Sequence, residues 1–260
     1  MRVLTRPWGA LHYRVDGPAT GPALLLVNSL GTDLRLWEPV LPHLPDAWRI
    51  IRYDKPGHGL SDRGRPKTED DLAADAIALI EAEAPQGAVV AGVSIGGLVA
   101  QTAAALRPDL VRAVVLSNTA LTFGDPATWE ERIAKLEAGG MEALVDGVME
   151  RWFGHAFRAT PELALWRNML RACQPEGYAD CCRVLSQADR THASAGLTLP
   201  VLTVGGSDDQ STTPAIVRKL HHAIPGARWA EVDGAGHLPM VERPEAWAEA
   251  VIPFLQTHMG

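Results

Sequence analysis

The stretch 84–106 carries no charged side chain, and at its centre stands Gly92-Val93-Ser94-Ile95-Gly96-Gly97. A single uncharged helix of that length would cross a bilayer. The glycines and the serine break it instead into a buried strand over 88–93, a tight turn, and a buried helix over 95–106 that Pro108 stops. Such a turn constrains the chain severely. Ser94 has to take up a strained backbone conformation with its hydroxyl outward, and the positions two residues away on each side have to be small, because larger side chains would collide. The N-terminus of the following helix then offers unpaired N–H groups to an oxyanion. Composition alone yields a Gly-x-Ser-x-Gly string about 0.07 times in such a chain. It is the strand–turn–helix setting that makes Ser94 a candidate nucleophile rather than part of a packing turn.

Apolar segments recur on both sides of this turn. Residues 11–15, 23–28, 48–54, 113–118, 201–205 and 228–232 read as strands, and the run at 23–28 is apolar enough for a strand covered on both faces of a parallel sheet. The spacing of Leu72, Ala76, Leu79 and Ile80 places a helix over 68–84, with Thr68 and Asp71 as its cap. A last helix spans 245–258, bent or ended near Pro253. This alternation specifies an α/β fold, with a mostly parallel central sheet flanked by helices. Only 126–189 breaks it. That stretch has helical segments at 126–138, 141–152, 161–172 and 175–188 and no strand, and Asp125-Pro126 and Thr160-Pro161 read as N-cap and N1 pairs. The expected organisation is a core of 1–125 and 190–260 with a helical cap, or lid, at 126–189.

A serine hydroxyl is a poor nucleophile near neutrality. It needs an imidazole to take its proton and a carboxylate to orient that imidazole. Two late strands end where such groups stand. The strand at 201–205 is followed by Gly206-Ser207-Asp208-Asp209, and the strand at 228–232 by Asp233-Gly-Ala-Gly236-His237. The chain order is therefore Ser94, then Asp208 or Asp209, then His237, and the Gly-x-x-Asp spacing from Gly206 favours Asp209. The oxyanion donors expected are the amide of Ile95, next to the nucleophile, and that of Leu30 in the loop after the strand at 23–28. His58, in Gly57-His58-Gly59, precedes the nucleophile and reads as a structural loop residue. His221 and His222 read as solvated helix residues.

Charge and cysteine usage narrow the class. With 24 Lys and Arg against 31 Asp and Glu, the net charge is −7, which argues against a nucleic-acid partner and leaves no polybasic segment for a membrane surface. Cys173 and the adjacent pair Cys181-Cys182 do not form a disulfide framework, so a reducing, cytoplasmic setting is expected. No Cys-x-x-Cys or His-Glu-x-x-His spacing occurs, and neither a metal nor a cofactor is expected. The first 16 residues lack the apolar run of a signal peptide. No feature specifies a subunit number.

Gly92–Gly97, Asp54-Lys-Pro-Gly-His-Gly-Leu-Ser61 and Gly234-Ala-Gly-His237 together resemble the α/β-hydrolase superfamily, over nearly the whole chain. More narrowly, the chain resembles the 3-oxoadipate enol-lactonases. Most hydrolases carry His-Gly in the oxyanion loop, whereas this chain has Asn28-Ser-Leu-Gly-Thr-Asp-Leu-Arg-Leu-Trp37, similar to the lactonase pattern. Arg151-Trp-Phe153, Trp166-Arg-Asn-Met-Leu170, Glu176-Gly-Tyr178, Cys181-Cys182 and Asp209-Gln-Ser-Thr-Thr213 are similar as well. Two positions depart from the pattern: Pro56 stands where an Arg is usual, and Gly154-His155 where the lid usually has Thr-Pro. The resemblance implies an α/β-hydrolase fold and hydrolysis of 3-oxoadipate enol-lactone in the β-ketoadipate pathway of aromatic catabolism. It implies a small lactone substrate with a free carboxylate, for which Arg151, Arg158 or Arg167 is a candidate partner, and Asn28, Trp37, Trp152 and Phe153 as further substrate-binding candidates. The alternatives are a carboxylesterase or perhydrolase acting on another small ester or lactone, a C–C bond hydrolase, and a non-catalytic small-molecule receptor on the same fold.

Overall fold

A computed structural model describes residues 1–259. Eight strands form one sheet: β1 (Arg2–Arg6), β2 (Gly9–Asp16), β3 (Ala23–Val27), β4 (Arg49–Tyr53), β5 (Ala88–Val93), β6 (Val111–Ser117), β7 (Val201–Gly206) and β8 (Arg228–Val232). Their order is β1-β2-β4-β3-β5-β6-β7-β8. All neighbours from β4 to β8 are parallel, while β2 runs antiparallel to β1 and to β4. Strands β3, β4, β5 and β7 are buried along their whole length, which accounts for the unbroken apolar runs of β3 and β5. Strand β1 is an addition to the sequence reading. It is an exposed edge strand whose Arg2 and Arg6 give it no apolar face.

Helix α1 (Glu69–Glu83) begins at a reciprocal capping box between Thr68 and Asp71. Helix α2 (Ile95–Leu106) buries every residue but its last two, and it packs on α1, β5 and β6. The uncharged stretch at 84–106 is therefore the centre of the core. Among the described residues no helix is long and apolar enough to cross a membrane.

Between β6 and β7 the chain makes α3 (Pro126–Gly139), a 3-10 turn at Met141–Leu144, α4 (Val145–Trp152), α5 (His155–Arg158), α6 (Leu163–Arg171), α7 (Pro175–Gln187) and α8 (Thr191–Ala195). The two ends of this excursion meet. Thr122 and Asp189 form an antiparallel bridge, and the Arg190 amide donates to Leu121 O at 2.9 Å. Beyond that junction, Ser194 of α8 donates to Gln101 of α2 at 2.6 Å. These contacts close the excursion at its base, and we propose that 126–189 is a cap on a core of the remaining residues. Asp125 caps α3, accepting from the Ala127 amide. Thr160-Pro161 does not start a helix: Thr160 Oγ1 donates backward to Phe157 O, and α6 begins at Leu163.

Helices α9 (Pro214–Ala223), α10 (Pro239–Glu242) and α11 (Pro244–His258) complete the chain, and Pro253 is accommodated inside α11. His221 is half-buried rather than solvated, with Nδ1 3.1 Å from Thr203 Oγ1.

Cap and core touch backbone to backbone where α7 crosses the loop after β4. A Cβ placed on Gly177 would lie 2.5 Å from the Gly57 Cα. Gly177→Ala should therefore overpack this seam and lower Tm by about 2–12 °C, from a cost of about 1–3 kcal/mol. Calorimetry checks this, and an unchanged Tm would mean that the cap is not seated on this contact.

Candidate active site

Ser94 links β5 to α2 with φ 59° and ψ −120°, a sparsely populated backbone state that costs on the order of 1–3 kcal/mol for a residue with a Cβ. Its surroundings show what holds it. A Cβ on Gly92 would sit 2.0 Å from Gly96 O, and one on Gly96 would sit 2.0 Å from Val27 O. The strand, the turn and the first helical residues are packed backbone on backbone, leaving room for hydrogen only. The Ser94 amide donates to Ser117 O at 3.1 Å, and its carbonyl accepts from Thr119 Oγ1 at 2.7 Å.

Asp209 follows β7, and its carboxylate is saturated. Oδ1 accepts the amides of Ser211 and Thr212 at 2.6 and 3.0 Å. Oδ2 accepts Asn118 Nδ2 at 2.9 Å and Thr212 Oγ1 at 2.8 Å, and lies 2.9 Å from His237 Nδ1. Burial alone would raise the Asp209 pKa. The charge of the facing His237 and the hydrogen bonds from His237, Asn118 and Ser211 outweigh it, and the net shift is downward. Asp208 points elsewhere: it is exposed, and Oδ1 accepts from Ser207 Oγ at 3.1 Å. With Nδ1 of His237 committed to Asp209, Nε2 is the nitrogen left for proton transfer.

The loop carrying His237 is tied to the cap. The His237 amide donates to Trp152 O at 2.9 Å. Glu242 of α10 accepts the Gly236 amide at 2.7 Å on one oxygen and the Gly154 amide at 2.8 Å on the other. Burial pushes its carboxyl up to about 7, against the pull of those two amides and with the help of the Asp208 and Asp209 charges. Gly154, one of the two departures from the lactonase pattern, is thus a backbone donor in this strap.

Ser94 and His237 line one cavity of about 270 Å³, together with Ser29, Leu30, Trp129, Arg132, Arg151 and Trp152. Among the described residues the amides of Leu30 and Ile95 have no protein acceptor. Gly31, next to Leu30, donates its own amide to His58 Nε2 at 3.0 Å, and His58 Nδ1 is satisfied by Pro56 O at 2.9 Å. His58 is therefore a loop organiser, held neutral by burial and by the charge of Lys55.

Three of the substrate-binding candidates lie outside this cavity. Asn28 is fully buried; its Nδ2 donates to Thr32 O at 3.0 Å and its Oδ1 accepts from Lys55 at 3.1 Å. Trp37 packs in the core against Trp247, with ring centroids 5.6 Å apart. Phe153 stacks on Phe157 at 4.5 Å inside the cap. Arg151 and Trp152 do line the cavity. Arg158 and Arg167 do not, and Arg167 is paired with Asp146.

Three contributors escaped the sequence reading. Asn118 and Thr212 orient the Asp209 carboxylate, and Asn118 does so from a left-handed backbone with φ 47° at the end of β6. Arg132 reaches the cavity from α3, its guanidinium 4.6 Å from the Trp129 ring centroid. The placement of Asn118 at a strand end beside the nucleophile strand was the one available signal.

A serine on a strand-to-helix turn, lining the same cavity as a histidine with a buried carboxylate, on a mostly parallel sheet, is the arrangement that a serine-type hydrolase requires. Residues 22–244 match the family model described as alpha/beta hydrolase fold, and the chain belongs to that family; it is a carboxylic-ester hydrolase. Among its relatives is the 3-oxoadipate enol-lactonase 2 of Acinetobacter baylyi, 35% identical over 246 residues, covering 93% of this chain and 91% of that protein. The crystal structure of the enol-lactonase from Burkholderia xenovorans LB400 superposes with a TM-score of 0.93 at 36% identity, over 98% of this chain and 100% of that one. A thermophilic esterase from Thermogutta terrifontis, with malate bound, superposes at 0.91 with 25% identity over 100% of both chains.

The two adjacent aspartates separate cleanly by experiment. Asp209→Asn should lower kcat on p-nitrophenyl acetate by about 10⁴-fold, because the amide disturbs the imidazole tautomer. Asp208→Asn should change it by no more than about twofold, as for an exposed position. The opposite order would assign the acid to Asp208.

Proposed function

We propose that the protein hydrolyses 3-oxoadipate enol-lactone to 3-oxoadipate, with Ser94, His237 and Asp209 as the catalytic triad. Ser94 Oγ attacks the ring carbonyl while His237 Nε2 takes its proton. The Ile95 and Leu30 amides hold the oxyanion. The ring C–O bond breaks as His237 passes the proton it took from Ser94 to the leaving oxygen, releasing an enol, a better leaving group than an alkyl alcohol, which stays tethered through the acyl chain. Tautomerisation to the ketone stops it from re-closing the ring. Water, deprotonated by His237, then attacks the acyl-enzyme and frees the dicarboxylic acid.

The observation that carries the substrate class is the pair Arg132 and Arg151. Both line the cavity that holds Ser94 and His237, and among the described residues neither forms an ion pair with a carboxylate. Burial, and then the neighbouring Arg132 charge, lower the Arg151 pKa. Two like charges facing one partly enclosed space are relieved by an anion placed between them. A lactone that carries a free carboxylate supplies that anion at a fixed distance from its carbonyl. The enol-lactonase relatives support the same reading.

The test is loss of the ultraviolet band of 3-oxoadipate enol-lactone on adding the protein, and its absence with Ser94→Ala. Arg132→Met and Arg151→Met should each reduce kcat/KM on the enol-lactone by about 10- to 150-fold, the value of a charged hydrogen bond of about 1.5–3 kcal/mol. Hydrolysis of the neutral p-nitrophenyl acetate should be spared. Rapid ester hydrolysis without lactone turnover would favour the carboxylesterase reading instead.

A further inference from the structure

We propose that Lys55 is a positioning residue, holding the loop 28–32 in the shape that presents the Leu30 amide to the reacting carbonyl. This rests on the assignment of that amide as an oxyanion donor. Lys55 lies in the loop after β4 and is 1% exposed. Its Nζ lies 2.5 Å from Ser29 O, 3.1 Å from Thr32 O and 3.1 Å from Asn28 Oδ1. All three acceptors belong to the 28–32 loop, so the three N–H bonds of the ammonium are directed at it.

The rest of the loop fits around this cation. Thr32 donates its amide and its hydroxyl to Ser29 O, and Asn28 Nδ2 donates to Thr32 O. Gly31, at φ 77°, gives its amide to His58. Carbonyl oxygens of residues 29 and 32 turn toward Lys55 and the Gly31 amide turns toward His58, while the Leu30 amide between them donates to no protein acceptor among the described residues. A lysine that must donate and a histidine that must accept grip the loop from the same segment, so each works in only one protonation state.

Among the described residues no carboxylate bonds the ammonium. Asp54 is engaged by His12 and by the amides of Leu34 and Leu60, and Asp33 is engaged by Arg35. The facing groups from the cap, Cys173 and Cys181, are thiols that burial pushes far up, so they remain uncharged. Burial lowers the Lys55 pKa to about 8, with Cys181, Cys173, Asp54 and Asp33 opposing. Above that pH the neutral amine keeps two N–H bonds and turns a lone pair toward the third oxygen, which loosens the loop. The Glu242 titration, near 7, falls on the acid side, where a proton on one carboxyl oxygen weakens the bond that oxygen accepts from Gly154 or Gly236.

The experiment measures kcat and KM for p-nitrophenyl acetate across the Lys55 titration, with Ser94→Ala subtracted as background. The wild-type kcat should fall as pH rises through about 8. Lys55→Met should lower kcat near neutrality by about 10- to 100-fold, because a misplaced donor weakens the transition state selectively. KM should stay nearly constant, and the alkaline limb should vanish. Asn28→Asp puts a carboxylate against the ammonium and should move the limb to higher pH by about one unit. A folded Lys55→Met with wild-type kcat overturns the proposal. If that variant does not fold, an alkaline limb that stays in place in Asn28→Asp overturns it. Full activity in Ser94→Ala would sink the catalytic assignment itself, and the proposal with it.

Discussion

The structure depends first on a contact between backbones. Where β5 passes into α2, no side chain separates Gly92 from Gly96 or Gly96 from Val27, and the chain is forced through Ser94 at a positive φ. Three elements, β3, β5 and α2, meet at this point. The same close approach that makes the turn possible sets the loop after β3 beside the N-terminus of α2. Strain in one residue is held by the burial of two strands and an almost wholly buried helix, and the site occupies the point where that strain is stored.

Around that point, satisfaction of hydrogen bonds decides which groups are free to react. Asp209 accepts five bonds and cannot move, and His237 is held through Nδ1 and through its own backbone to Trp152. Lys55 engages Asn28 Oδ1, Ser29 O and Thr32 O of the 28–32 loop, and His58 takes the Gly31 amide, while the Leu30 amide has no protein acceptor among the described residues. Among the described residues, the groups left at the cavity include two amides without a protein acceptor and two arginines without an ion pair. Their chemistry suits an acyl oxyanion and a carboxylate respectively. Reactivity here comes from polar groups that the fold leaves over.

The cap reaches the catalytic loop through backbone as well as side chains. Glu242 bridges Gly154 and Gly236, and Trp152 O receives the His237 amide. A change in cap position is therefore felt by the imidazole without a substrate between them. The arginines that face the cavity come from α3 and α4, so these two helices supply positive charge to a lining that also holds Asp125.

Much of this was legible in the chain. Apolar runs marked the buried strands, helical spacing marked α1, and Gly-x-Ser-x-Gly in its strand–helix setting marked Ser94, because these signals arise from neighbours in sequence. The exposed edge strand β1 and the one-turn helix α10 were not, since neither has an apolar period long enough to read. The resemblance offered Asn28, Trp37 and Phe153 to the substrate, and the fold uses them in loop, core and cap packing. Thr212 and Arg132 carried no local signal, and Asn118 carried only its place at a strand end. Residues 118 and 209 are far apart in the chain and meet only because β6 and β7 are adjacent in the sheet. The sequence by itself determined the fold class, the turn and the order of the reacting residues, through local periodicity and glycine placement. Which arginines share the cavity, and which polar groups are left unpaired there, only the tertiary structure decided, because pairing is settled by which surfaces pack together.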